Sequence, residues 1–338
     1  MARFGLGCGL VWILESLLVS VQRENVHPVV GKLATATCLV ALLPISMGAL
    51  VTTLNAGMAF ADWPSSDGQN MLLYPWFRDF AANPEKFTEH GHRLAGMLIG
   101  FVSVCLALTS YWVDRTWVKW FTTAILLSVI AQGVLGGARV LLDRQLLAML
   151  HSVTGAAFFS LCVVFRLMCS PKWSDWRQER DERVGPLIAS SVVLTPVIIL
   201  AQYVLGGALR HFHTMLDEHL AGAAIVTLSA SLAAFGLIRS QNGLLRRSGL
   251  MMICALLLQV ILGGGSYLTK LGLPQIGYVA VAGSLSQTVI CSMHTVFGMF
   301  LLSSSVVAAT SMAVLHKAGR LGGLQLELSA VGDRGTAT

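Results

Sequence analysis

Long apolar runs separated by short polar joints make up most of this chain. Eight runs stand out, at approximately 33–54, 94–113, 117–138, 146–169, 187–209, 219–238, 248–268 and 285–313. Each is close to the roughly 20 residues that carry a helix across about 30 Å of hydrocarbon. Backbone groups in lipid must be satisfied within the segment, so such runs form helices rather than open sheet. The pattern predicts an all-α, polytopic membrane protein whose eight transmembrane helices form two pseudo-symmetric four-helix bundles. A charged stretch at 170–185, begun by Pro171 and followed by Pro186, marks the seam. The division is then an extension at 1–32, a bundle at 33–169, a cytoplasmic linker at 170–185, a second bundle at 186–313 and a tail at 314–338. Within the extension, Phe4 to Val21 is apolar but short and is broken by Glu15. It reads as a signal-like or interfacial segment, or as sequence upstream of the true start, and receives no function.

Composition agrees with the pattern. The chain is 55% hydrophobic and 12% charged, against about 25% charged in soluble domains. Its net charge of +6 is no nucleic-acid footprint, because the basic residues sit in loops, where they set topology. Sixteen of the Lys and Arg residues fall on the side of the termini. Seven fall opposite: Arg78, Lys86, Arg93, Arg139, Arg144, Arg210 and Lys270. That excess puts both termini in the cytoplasm and the long first loop, with Trp63, Pro64 and Trp76, outside. All seven cysteines lie in apolar segments, where they read as packing thiols rather than a disulfide framework.

An internal repeat sharpens the picture. Gln132-Gly133-Val134-Leu135-Gly136-Gly137 ends the third span, Gln202-Tyr203-Val204-Leu205-Gly206-Gly207 ends the fifth, and Gln259-Val260-Ile261-Leu262-Gly263-Gly264 lies near the end of the seventh. Met47-Gly48-Ala49 is a weaker copy in the first. After each comes an outer loop and then a histidine on the next span: His92, His151, His219 and His294. Small residues let membrane helices approach closely, and a flat macrocycle against a helix needs the same missing side chains. One histidine in an apolar helix is an ordinary hydrogen-bonded packing residue. Four, one on each even-numbered span and at similar depth, suit two pairs of axial ligands to haem iron inside helical bundles. Zinc would ask for four ligands in one tetrahedron, and no Cys-x-x-Cys-His attachment motif is present.

The pairs differ. Glu89 stands three residues before His92 and Arg93 follows it, whereas Ala148, Leu216 and Cys291 stand before the other three. A carboxylate beside a bound porphyrin can move protons or steady positive charge, and the cation can pair a propionate. The competing explanation is a helix start, with Thr88 or Glu89 as cap and acid favoured in the first turn. His90 lies round the helix from His92, facing the loop. His27, His211, His213 and His316 weigh less.

At this point the chain resembles the heme A synthases, from about residue 33 to about 313. The resemblance rests on the Glu-x-x-His-Arg motif (Glu89, His92, Arg93), the even-span histidines, the Leu-Gly-Gly turns and Asp62-Trp63-Pro64. It implies an oxidoreductase of the bacterial inner membrane that converts a ring methyl of haem O to a formyl group, giving haem A for cytochrome oxidase. His92, His151 and Arg93 would then hold the substrate haem, with Glu89 catalytic. His219 and His294 would ligate a haem b cofactor. Partners would include haem O, membrane lipid, a haem O synthase, an electron-transfer partner and another copy of the chain, but no nucleic acid. Many members carry a cysteine pair flanking the Asp-Trp-Pro, where this chain has Phe60 and Ser66. A di-haem b-type electron carrier, or a haem-binding assembly factor without turnover, stays open as the other reading. A haem prenyltransferase is disfavoured, since no aspartate-rich pair of motifs is present to hold a magnesium diphosphate.

Overall fold

The computed structural model describes residues 26–171, 173 and 184–335, with side chains described to residue 315. Most of the N-terminal extension, and most of the 170–185 linker, lie outside the described residues.

Among the described residues, eight helices are long and apolar enough to cross a membrane. They are α1 (Pro28–Thr53), α2 (Pro84–Tyr111), α3 (Thr116–Leu142), α4 (Gln145–Met168), α5 (Pro186–Phe212), α6 (Leu216–Ile238), α7 (Gly243–Leu271) and α8 (Leu285–Gly335). Each expected span is present, and most run further than their apolar core. Three starts carry proline in the first turn, at Pro28, Pro84 and Pro186; proline lacks the N–H that would be unpaired there. His27 accepts from the amide of Val29 at the start of α1. Asn242 accepts from Leu244 and Leu245 at the start of α7.

Helix α8 runs on to Gly335, beyond its expected end at 313, but the departure that matters for the site is α2. Its apolar run begins at Leu94, yet the helix begins ten residues earlier at Pro84. Glu89 and His92 therefore sit inside the helix, one to two turns from its start, and Glu89 is not a cap. Polar residues continue the helix here because the outer loop folds over them. Phe60 and Ser66 of that loop are fully buried, and so is His90 beneath them.

Helix α1 packs on α2, α2 on α3, α3 on α4, and α4 returns to α1. Helices α5, α6, α7 and α8 close the same kind of ring. The rings meet where α8 lies against α4 and α1, and α4 against α5. Lipid is as apolar as leucine, so close approach and side-chain hydrogen bonds, rather than water exclusion, hold such helices together. Gly249 on α7 shows the approach: a Cβ there would lie 2.8 Å from the Cβ of Leu237 and 2.9 Å from the Ala234 carbonyl oxygen on α6. Hydroxyl pairs cross between helices at Ser110–Thr122 (2.7 Å), Thr195–Ser229 (2.8 Å), Ser160–Ser303 (3.1 Å) and Thr53–Ser292 (3.1 Å). Each is worth about 0.6 kcal/mol in a bilayer. The six described cysteines are free.

Candidate functional site

The four histidines form two pairs. His92 on α2 faces His151 on α4, with ring centroids 6.0 Å apart and planes at 88°. His219 on α6 faces His294 on α8, at 6.5 Å and 88°. All four rings are half-buried.

The glycine repeat explains how the rings get there. A Cβ on Gly48, Gly136, Gly206 or Gly263 would fall 3.0, 3.4, 3.1 or 3.1 Å from Cε1 of His92, His151, His219 or His294, in that order. The space of the missing side chain is taken by an imidazole, which stands flush against the preceding helix. The second glycine of the α3 repeat does a different job. A Cβ on Gly137 would overlap the Trp63 ring, so the outer loop's tryptophan lies directly against α3.

Four residues before each of these glycines stand Pro44, Gln132, Gln202 and Gln259. The Pro44 carbonyl oxygen lies 2.9 Å from His92 Nδ1. A carbonyl only accepts, so Nδ1 carries the proton and Nε2 keeps its lone pair. Gln202 Nε2 donates to the His219 carbonyl (2.8 Å) and sits 3.1 Å from His219 Nδ1. With its amide turned to satisfy its neighbours, Gln132 meets His151 the same way, at 3.1 Å to the carbonyl and 2.9 Å to Nδ1. Among the described residues, His294 Nδ1 has no hydrogen-bond partner, and neither does the Gln259 side-chain oxygen.

These pairs suit a hexacoordinate metal macrocycle. Two metal–imidazole bonds of about 2 Å, with a ring radius of about 1 Å on each side, span about 6 Å. Among the described residues no hydrogen bond engages Nε2 of any of the four histidines. Nor, among them, do three or more His, Cys, Asp or Glu side chains gather as a bare metal ion would require.

Around the first pair lies a cover made by the outer loop. Glu89 Oε2 accepts from the amides of Ala59 (2.7 Å) and Phe60 (3.2 Å). Its Oε1 accepts from Arg93 Nη2 (2.6 Å) and Nε (3.2 Å). Arg93 Nη1 donates to the carbonyls of Asp62 (2.9 Å) and Ser65 (2.8 Å), and the guanidinium lies 4.9 Å from the Phe60 ring centre. The carboxylate is 4% exposed, so this is a buried ion pair with nearly every lone pair and proton used. Arg93, offered by the sequence for a propionate, is instead committed to Glu89 and the loop.

Phe60 and Ser66, which stand where the resemblance expects cysteines, have their own roles. Phe60 meets Tyr74 edge to face at 5.2 Å, and Ser66 Oγ pairs with His90 Nδ1 at 3.1 Å. His90 does turn toward the loop, but as a buried residue under it. Tyr74 donates to Asp79 Oδ2 at 2.7 Å, and burial together with that bond pushes its phenol up from the ordinary value. Burial also pushes the Asp62 carboxyl up, but hydrogen bonds from Ser65, Gly68 and Asp67 outweigh it and leave it below the ordinary carboxyl value. Lys86 bridges to Asp67 at 2.5 Å and closes the loop onto α2.

Two further arginines were read from the sequence only as topology charges. Arg210 on α5 is tied down: Nη2 donates to the Ala49 carbonyl (2.6 Å) and Thr53 Oγ1 (2.7 Å) on α1, and Nη1 to Thr295 Oγ1 on α8. Arg139 on α3 lies against Gly57 of the outer loop. His211 is the last full turn of α5 rather than loop, with Nε2 3.5 Å from Ser152 Oγ.

Comparison with known proteins bears on the first half. Residues 80–218 match the model of COX15-CtaA, described as a cytochrome oxidase assembly protein. That stretch holds Glu89, His92, Arg93 and His151 and stops one residue before His219. The heme A synthase of Methylobacterium radiotolerans is 29% identical over 167 residues, 46% of this chain and 44% of that protein. The heme A synthase of Ruegeria pomeroyi is 31% identical over 162 residues, 46% and 42%. That of Paracoccus denitrificans is 27% identical over 153 residues, 44% and 40%. The matches thus span under half the length of these relatives. Through residues 80–218, from the loop before α2 to the start of α6, this chain is similar to the COX15-CtaA family.

Proposed function

We propose that the protein is a multi-pass membrane heme A synthase. It would bind haem O between His92 and His151, oxidise its C8 methyl to a formyl group, and hold a haem b between His219 and His294. The observation that carries this is the duplicated imidazole pair, perpendicular and about one metal atom's span apart in both halves. The second haem would supply one-electron transfer when bound. The chain's own residues do the rest. Pro44 holds His92 in the tautomer that leaves Nε2 free to ligate. The loop seated by Glu89, Arg93 and Trp63 screens the first pair from outer water. Glu89, with both oxygens already accepting, contributes a fixed negative charge beside the substrate, favouring positive charge that develops there. In this reading both termini are cytoplasmic, in a bacterial inner membrane, and each ring of four helices is one haem-binding bundle.

One feature favours the other reading, a haem carrier or assembly factor without turnover. Glu89 has no oxygen to spare for a substrate, and its bonds account for it as a loop anchor. Expressing the protein beside a haem O source and extracting the pigments separates the two. Haem A on the chromatogram is expected; unchanged haem O from a folded, haem-loaded protein would refute synthase activity. His219→Ala and His294→Ala are expected to remove the low-spin b-type absorbance, and its persistence in both would refute the cofactor site.

A further inference from the structure

Arg139 has no assigned work in any of the above. It is half-buried on α3, and among the described residues it makes neither an ion pair nor a hydrogen bond. The ion pairs found there are Lys86–Asp67 and Arg93–Glu89. A guanidinium carries five donors in a rigid fork, and leaving all of them unmatched near hydrocarbon is costly.

Its place is specific. Arg139 lies three residues beyond Gly136, the glycine that packs on His151. On a helix, i and i+3 share a face, and three residues advance about 4.5 Å along the axis. The advance is toward the α3–α4 turn, the outer end. There the guanidinium meets Gly57, where a Cβ would fall 2.7 Å from Nη1 and Nη2. Its charge acts on His92, His151 and Glu89 together. Arg139 thus stands between the first imidazole pair and the outer loop, at the mouth of the site.

We propose that Arg139 is the cation that receives the ring carboxylates of the porphyrin bound between His92 and His151, the role that Arg93 cannot fill. This rests on the haem reading above. The second half offers a contrast. Arg210 stands four residues beyond Gly206, but it is engaged by Thr295, Ala49 and Thr53. A cation with open donors at the first site suits a ligand that must enter and leave. A locked one at the second site serves to join helices.

The test is a binding titration of the purified full-length protein with iron protoporphyrin IX and with its dimethyl ester. It is read as the low-spin absorbance increment that His92→Ala abolishes. Wild type is expected to bind the free acid about tenfold or more tighter than the ester, the size of a charge-assisted hydrogen bond. Arg139→Gln is expected to lose that preference with the ester affinity unchanged, and Arg139→Lys to keep part of it. Equal binding of acid and ester by wild type, or a preference that survives in Arg139→Gln, overturns the inference and leaves the haem reading standing. Wild type that binds neither compound at this pair overturns both.

Discussion

Replacing Glu89 with alanine removes the acceptor for four hydrogen bonds at once, and the structure says what each one holds. Two come from the amides of Ala59 and Phe60 and two from Arg93. Both charged side chains are nearly sealed, at 5% and 7% exposure. Removing one member of such a pair leaves the other charge buried and unpaired, a loss of about 3–5 kcal/mol. Part of this will relax as Arg93 moves toward water, taking its bonds to Asp62 and Ser65 with it. The local consequence is sharper than the global one. Each loop amide loses a bond to a charged acceptor worth about 1.5–3 kcal/mol. At about 1.4 kcal/mol per decade, hydrogen exchange at residues 59 and 60 should then accelerate about ten- to a hundredfold. Peptide-level exchange by mass spectrometry reads this directly, with α8 as an internal reference that should not change. Glu89→Gln keeps one acceptor oxygen and should fall between. If exchange over 57–61 is the same in Glu89→Ala as in wild type, the loop is not held by this carboxylate, and its saturation would no longer argue for an anchoring role.

Two other substitutions probe the packing. Gly206→Val should displace His219, since even a Cβ there comes within 3.1 Å of the ring; loss of the second low-spin signal with the first retained is the expected spectrum, and an unaltered one would refute the contact. Ser66→Ala leaves His90, buried with an Nε2 already unpartnered, without its Nδ1 partner as well. A destabilisation of about 1–3 kcal/mol follows, read as a lower thermal midpoint in detergent, and an unchanged midpoint would count against the pairing.

Much of this architecture was legible because hydrocarbon imposes a length and a composition that nothing else in the chain imitates. The joints were less so. The sequence places the start of the second span at Leu94 because Glu85, Lys86, Glu89, His90, His92 and Arg93 look like loop. They are helical because distant residues satisfy them: Asp67 for Lys86, two loop amides and Arg93 for Glu89, Ser66 for His90. No window along the chain contains that information. The histidine pairing was visible as a repeat, and so was the glycine that precedes each one. What the glycine faces was not, since a missing side chain fits a macrocycle and an imidazole equally well until the helices are placed. Arg139 was invisible for a related reason. As a residue type it reads as a topology charge, and only the bonds it does not make set it apart.

The division of labour between the two halves then turns on loops and cations more than on ligands. Both pairs share perpendicular planes, nearly equal separations and a glycine behind each ring. A haem held in either would have two imidazole ligands, although what faces Nδ1 differs between them. A further difference lies above them. Helices α1 and α2 are joined by a folded cover whose anchors, Glu89 and Arg93, grow from the same helix as His92 and sit within one turn of it. The joint between α5 and α6 is a short turn through His213 and Met215, both in the left-handed region. Beside it, Arg210 ties α5 to α1 and α8. A site with a folded cover and an uncommitted guanidinium suits exchange, and one with a short turn and a committed guanidinium suits retention. That contrast supports the proposal that the first pair takes substrate and the second a resident group.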